Sequence, residues 1–441
     1  MEISKKRPEP RILLPADLTA AGKQSGITML TGYYVENSNY FNITPADANI
    51  DQSRVEVVGC IVPVNIFAAL QQKVELLDVK IDKNLTAAER FQAAVKNRKA
   101  AEATAGTASR QEIEAKLATL LGNEDTAKEI ADWWNREDRV VGYWENDALH
   151  IIQCKTFIEV KTEAYSLKLD VFSRNTGILE SSIMLDKGAL LIGCGSVGSL
   201  VAVELAKAGV GRFMLVDNDI FGYHNICRHQ CGIYDVGRYK TDAVADRILQ
   251  INPYAKVVKK NCMIQEVDRD EVIAFCGSSS IAIGGADNRE GDLYACQLSV
   301  EAGMPFMSVG CWERAFAGEI FYCLPQGQPT YDDFLDAVGY VSGRVTQNRR
   351  FYTTEEDLAK VSFEPGISAD VNFVTIIAIK MALDLLNRDN PEYTQRLIPH
   401  LTQYTLVCNT NNTDIGGEQA AIFTYPLQVT TSIIVPYKNK D

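Results

Sequence analysis

The sequence predicts an α/β protein: a mostly parallel sheet in the second part of the chain, preceded by an α+β region in the first. Three observations carry this. From Ala189 onward short apolar runs recur, helix-periodic segments separate them, and the first run ends in a glycine cluster that opens a helix. Strands that read as continuous apolar runs are buried on both faces, which is the pattern of a parallel sheet flanked by helices.

In chain order, the valine-rich run Val55 to Val62, stopped by Pro63, reads as a strand, and a second strand-like region extends from Leu149 to Phe172. Between them the spacing is helical. Thr86 to Leu121 carries Phe91, Ala94, Val95, Ile113, Leu117, Leu120 and Leu121 on one period, interrupted at Ala105-Gly106-Thr107, and Thr126 to Trp134 reads as a further helix. Residues 1–170 are therefore expected to form an N-terminal α+β domain, and no catalytic motif falls in them. A βαβ unit follows: the strand at Ala189, a helix from Val197 to Ala208, and a strand from Arg212 to Val216 that ends at Asp217. Further strands are expected at Val257–Lys259, Ile281–Gly284 and Pro305–Val309, with helices at Lys240–Gln250 and Asp292–Glu301. Residues 325–365 form a polar segment too long for a plain connection and are expected to be functional or mobile. Phe373–Leu386 reads as an apolar helix, and the strand-rich end, Thr405–Val435, is expected to return to the sheet edge, so that residues 171–441 make the second domain.

Composition narrows the function. The 441 residues, 46% hydrophobic and 23% charged, are those of a globular chain of two or three domains. No stretch approaches the roughly 20 apolar residues of a membrane span, and the start MEISKKRPEPRILLPADL lacks a signal-peptide core, so a cytoplasmic chain without membrane partners is expected. Eleven cysteines without a disulfide framework read as free thiols. A balance of 44 basic against 57 acidic residues opposes a nucleic-acid partner.

The chemistry concentrates after Ala189. Gly193-Cys-Gly195-Ser-Val-Gly198 lies between an expected strand and helix, where glycines permit the tight turn, the close approach of phosphate or ribose, and helix-on-strand packing. Asp217, 19 residues after Gly198 at the end of the next strand, suits ribose hydroxyls. A nicotinamide dinucleotide would explain this much. It does not explain the polar run Asp217-Asn-Asp219, Asn225, Arg228 and Gln230, nor Gly237-Arg-Tyr-Lys240 and Ala286-Asp287-Asn288. These suit ATP: Arg228 and Lys240 can neutralise a triphosphate, Asn225 can bond a phosphate oxygen, and Asp287 can hold magnesium as a hard oxygen ligand.

With these motifs in place, roughly residues 172–390 resemble the ThiF/MoeB-like adenylyltransferases, a family that includes the adenylation domains of ubiquitin-activating enzymes. The resemblance is carried by Gly193-x-Gly195-x-x-Gly198, Asp217-x-Asp219, Asn225-x-x-Arg228-x-Gln230, Gly237-x-x-Lys240, Asp287-Asn288, and Gly366-Ile367 ahead of the helix with Lys380. It implies a Rossmann-like adenylation domain with ATP and Mg2+ as cofactors. Asp217 would meet the ribose, Asn225, Arg228 and Lys240 the phosphates, and Asp287 the metal; Arg174, in Phe172-Ser-Arg174-Asn, would complete a partner protomer's site in a homodimer. The implied reaction adenylates the C-terminal carboxylate of a ubiquitin-like small protein, with a conjugating-type carrier enzyme as a further partner. A sulfur-carrier adenylyltransferase, a NAD-dependent oxidoreductase and a non-catalytic partner-binding scaffold are the rival readings.

The sequence departs from the family twice. The paired Cys-x-x-Cys motifs of its zinc-binding members are absent, Cys227 and Cys231 form a lone Cys-x-x-x-Cys, and no zinc is expected; His224 and His229 read as nucleotide-loop or surface residues. No cysteine lies between Leu324 and Cys408, where thioester-forming relatives carry one. Cys311 and Cys323 read as structural. The segment offers hydroxyls instead, and Thr330, which opens it in Gln328-Pro-Thr330-Tyr, is the first candidate acyl carrier, ahead of Thr353 and Thr354.

Overall fold

The computed structural model describes residues 8–20, 26–70, 109–277, 279–286, 288–325, 327–339, 342 and 365–437. The chain divides into two compact units, Met1–Asp170 and Val171–Asp441. Among the described residues no helix is long and apolar enough to cross a membrane.

The first unit is built on seven strands, β1 (Arg11–Pro15), β2 (Thr28–Val35), β3 (Tyr40–Ile43), β4 (Glu56–Val62), β5 (Val140–Glu145), β6 (Ala148–Gln153) and β7 (Lys161–Tyr165), in the order β6-β5-β4-β2-β3-β1-β7. Helices α1 (Arg110–Leu121) and α2 (Glu124–Trp133) are set by their ends. Ser109 caps α1 in a box with Glu112, Gly122 ends it in the left-handed region at φ 63, and the Asn123 side chain then accepts from the Thr126 amide at 2.9 Å to start α2. Ile113, Leu117, Ile130 and Ala131 from these helices join Cys60, Val62, Val141 and Ile152 of the sheet in one core. Ile12, Leu14, Leu30, Phe41 and Val140 form another. The helical expectation for Thr86–Leu121 thus holds from Arg110 onward, and its earlier part, with Ala105-Gly106-Thr107, lies outside the described residues.

The second unit is a Rossmann-like α/β layer structure. Its eight strands are β8 (Gly188–Ile192), β9 (Arg212–Val216), β10 (Lys256–Lys260), β11 (Ser280–Gly284), β12 (Phe306–Cys311), β13 (Ala317–Cys323), β14 (Tyr404–Cys408) and β15 (Gln428–Ile433), ordered β10-β9-β8-β11-β12-β13-β14-β15. The first five pair in parallel and the last three antiparallel. Helices α3 (Ser196–Lys207), α4 (Lys240–Ile251) and α8 (Ser368–Leu386) contribute to one core, and α5 (Arg269–Phe275), α6 (Arg289–Glu301) and α7 (Tyr331–Ala337) to the other. From β8 the chain moves outward to β9 and β10, then crosses to β11 on the other side of β8. That reversal opens a crevice at the carboxyl ends of β8 and β11, the position where open α/β sheets bind ligands.

One expectation is corrected here. Residues 325–365 are not polar throughout, because α7 occupies Tyr331–Ala337 and buries Tyr331 and Phe334 against Phe306, Phe321 and Tyr404. Asp332 and Asp336 on its exposed side disguise the helix as a polar stretch. Thr353 and Thr354 lie outside the described residues.

Candidate functional site

The crevice holds a cavity of about 150 Å³, lined by the ends of four parallel strands: Ile192 and Gly193 after β8, Val216, Asp217 and Asp219 after β9, Cys262 and Met263 after β10, and Ala286 and Asn288 after β11. Two of the motif glycines are required by packing. Gly193 has φ +90, and a side chain there would meet the Ala286 backbone nitrogen at 2.7 Å; at Gly198 it would enter the Gly193 carbonyl. Gly195, at the N-cap of α3, faces no atom within 4 Å. The N-terminus of α3 therefore opens onto free space at Gly195, and helix N-terminal amides favour an anion.

Asp217 locks the glycine turn. Its Oδ2 accepts from the Cys194 amide at 2.6 Å and its Oδ1 from the Asp219 amide at 2.7 Å. Burial raises its pKa above the usual carboxylate value, against the pull of those two amides. Each oxygen keeps lone-pair capacity for a further donor. Asp219 in turn accepts from the Lys240 ammonium at 2.6 Å. Lys240 is buried at the first position of α4, whereas Asp219 is exposed.

A residue assigned no role from the sequence closes this arrangement. His229 is buried, with its Nε2 2.7 Å from the Cys194 carbonyl and its Nδ1 accepting from the Cys231 amide at 3.0 Å. Because Nδ1 accepts, the neutral ring carries its proton on Nε2 and donates to Cys194. Burial depresses its pKa to about 4, and the Phe221 ring meets it edge-on. Cys194 is thus held at its amide by Asp217 and at its carbonyl by His229. Of the two expectations, a nucleotide-loop or a surface histidine, the surface one is corrected: this ring is a buried fastener of the turn. The signal was its position between Arg228 and Gln230, but nothing local in the sequence tells a buried ring from an exposed one.

The remaining expected residues divide. Arg228 lies where Gly366, ahead of α8, approaches its Nη1, so two segments far apart in sequence meet there. Asn225 spends its Oδ1 on the Gly222 amide at 2.8 Å, capping its own short helix, and the Gln230 amide donates to Ser199 on α3. Arg174 is exposed; the adjacent Asn175 bonds the Lys207 carbonyl at the end of α3 away from the glycine turn. Asp287 lies outside the described residues. Thr330 is the N-cap of α7, its amide and hydroxyl both donating to Asp333 at 2.7 and 3.0 Å, a helix-starting role absent from the sequence-based assignment.

A parallel sheet with a glycine turn and an acidic strand end at its switch point defines a Rossmann-like α/β domain. The chain belongs to the ThiF family, whose model matches residues 179–413. Curated relatives include a probable molybdopterin-synthase adenylyltransferase of Porphyra purpurea, 29% identical over 35% of this chain and 40% of its own, and the sulfur carrier protein ThiS adenylyltransferase of Bacillus subtilis (strain 168), 27% identical over 38% and 52%. The ubiquitin-like modifier-activating enzyme 5 of Caenorhabditis briggsae is 27% identical over 32% of this chain and 34% of its own. The chain spans about half or less of the length of these relatives. Among solved structures, E. coli MccB with ATP is similar at 18% identity and TM-score 0.39, covering 52% of this chain and 62% of that one.

Proposed function

We propose that this protein is an ATP-dependent adenylyltransferase that activates the C-terminal carboxylate of a small ubiquitin-like protein. The observation that carries the reading is the buried ammonium of Lys240, held by Asp219 at the cavity edge. A glycine turn and Asp217 alone would serve a nicotinamide dinucleotide equally well; a buried cation beside them suits the charge of a triphosphate. Family membership supports the same reading, as does the likeness to the sulfur carrier protein ThiS adenylyltransferase.

In this reading the ribose hydroxyls donate to Asp217, and the α3 amides, Lys240 and Arg228 meet the phosphates. Asp287 would hold Mg2+, which on binding would neutralise the phosphate oxygens. A carboxylate oxygen of the carrier attacks the α-phosphorus, the bond to the pyrophosphate oxygen breaks, and acyl-adenylate and pyrophosphate result. Such a step needs positioning and charge neutralisation rather than a protein nucleophile. Arg174, exposed and at the far end of α3 from its own glycine turn, suits contact with a second copy in a homodimer.

The test is ATP–pyrophosphate exchange with and without small proteins that end in glycine, with NAD turnover as control. Exchange that requires the small protein supports the reading. Hydride transfer without exchange would overturn it.

A further inference from the structure

Behind the cavity wall formed by Ala286 and Asn288 lies a chain of buried polar groups. Arg289, the first residue of α6, donates from Nη2 to the Ser342 hydroxyl at 2.8 Å. Ser342 donates onward to Glu319 Oε1 at 2.7 Å, while Trp312 Nε1 and the Tyr404 hydroxyl each donate to Glu319 Oε2 at 2.9 Å. Glu319 on β13, Ser342, Trp312 and Tyr404 are all at most 4% exposed. Burial, reinforced by the Glu319 carboxylate, pushes the Tyr404 hydroxyl well above its ordinary pKa, so it stays a donor.

A carboxylate this deep is tolerated only with its lone pairs satisfied and a positive charge near. Three donors come from β14, from the end of β12 and from Ser342; the charge comes from Arg289, one hydrogen bond further out. The direction of the bonds is fixed from end to end: guanidinium to hydroxyl, hydroxyl to carboxylate. Arg289 directly follows Asn288, which lines the cavity, so its bond to Ser342 anchors the start of α6 beside the cavity.

We infer that Glu319 is a positioning residue for this wall of the cavity, acting through Ser342 and Arg289. The kinetic part of the inference rests on the adenylation reading; the positioning itself does not. Ser342→Ala cuts the chain at its middle and leaves Glu319 with Trp312 and Tyr404, whereas Ser342→Thr keeps a hydroxyl there.

The experiment combines amide hydrogen exchange on the ligand-free full chain with ATP–pyrophosphate exchange kinetics. Ser342→Ala is expected to speed amide exchange around residues 288–292 by about 10-fold and to raise the KM for ATP by about 10-fold, with the KM for the carrier unchanged and Ser342→Thr restoring both. Should Ser342→Ala fail to fold, Arg289→Gln cuts the same chain from its outer end and carries the same expectation. Unchanged amide exchange at 288–292, or faster exchange spread equally over β12–β15, overturns the inference. Absence of pyrophosphate exchange in the wild type overturns the adenylation reading instead, and the hydrogen-exchange result then decides the positioning alone.

Discussion

The two walls of the cavity are held in different ways. The glycine-turn wall is fastened at main-chain atoms: Asp217 and His229 grip the two polar groups of Cys194, and Gly193 and Gly198 leave room only for backbone. The facing wall at Ala286 and Asn288 is fastened by a side-chain relay that ends on a carboxylate in β13. A wall fixed through backbone depends on residues close in sequence, and one fixed through side chains depends on partners brought together only by the sheet. The glycines and Asp217 of the first wall can be read from a motif, whereas His229 and the relay of the second wall cannot.

The comparison breaks most visibly at the charges. Lys240→Ala is expected to cut pyrophosphate exchange by about 100-fold or more, since it removes a cation from the phosphoryl transition state. Arg228→Ala and Asp287→Ala should do the same. Because Asp219 is exposed, loss of its Lys240 partner should change the melting temperature little. Activity loss that follows unfolding in a melt would make Lys240 structural instead.

The next effect belongs to His229. Its folded pKa of about 4 lies below the unfolded value near 6.5, so the unfolded chain binds more protons between these pH values. The stabilisation is complete above pH 6.5 and is lost as pH falls towards 4, by about 3 kcal/mol. Asp217, raised by burial, contributes a slope of the opposite sign. Urea titrations of wild type and His229→Gln across this window isolate the histidine: the variant should lose the slope, and an identical slope would show that the ring is not buried neutral.

Gly198→Ala sharpens the backbone wall. Its methyl group would enter the Gly193 carbonyl, so a destabilisation of about 1–3 kcal/mol is expected, while Gly195→Ala, facing open space, should leave stability unchanged and weaken ATP binding. Urea titration beside calorimetric ATP binding separates the two. The smallest effect is at Thr330. Thr330→Ala should cost about 1 kcal/mol as a lost cap and leave exchange intact. An enzyme–carrier conjugate that disappears in this variant would identify Thr330 as the acyl carrier.

How much was legible follows from the same contrast. The βαβ unit, Gly193 to Gly198, Asp217 and Lys240 stand within 53 residues, Gly188 to Lys240, and each carries a local requirement of turn, strand end or helix start. The strands β1 and β3 were missed because five and four residues give no sustained alternation, and β2 because Gly32 interrupts its run and its apolar residues do not alternate. His229 was visible but not assignable, since burial is set by Phe221 and the glycine turn together. Glu319, Ser342 and Arg289 span 54 residues and carry no motif, and their meaning appears only when β12, β13 and β14 lie side by side. Helix α7 was hidden by its own acidic outer face.

In the proposed reaction a carboxylate oxygen is joined to the α-phosphorus of ATP in this cavity. The most direct measurement labels the C-terminal carboxylate of the small protein with heavy oxygen, supplies ATP and the enzyme, and lets an amine or thiol take the acyl group. Attack at the α-phosphorus predicts AMP that carries one labelled oxygen, together with unlabelled pyrophosphate. Label in inorganic phosphate with release of ADP, or AMP free of label, would contradict the account.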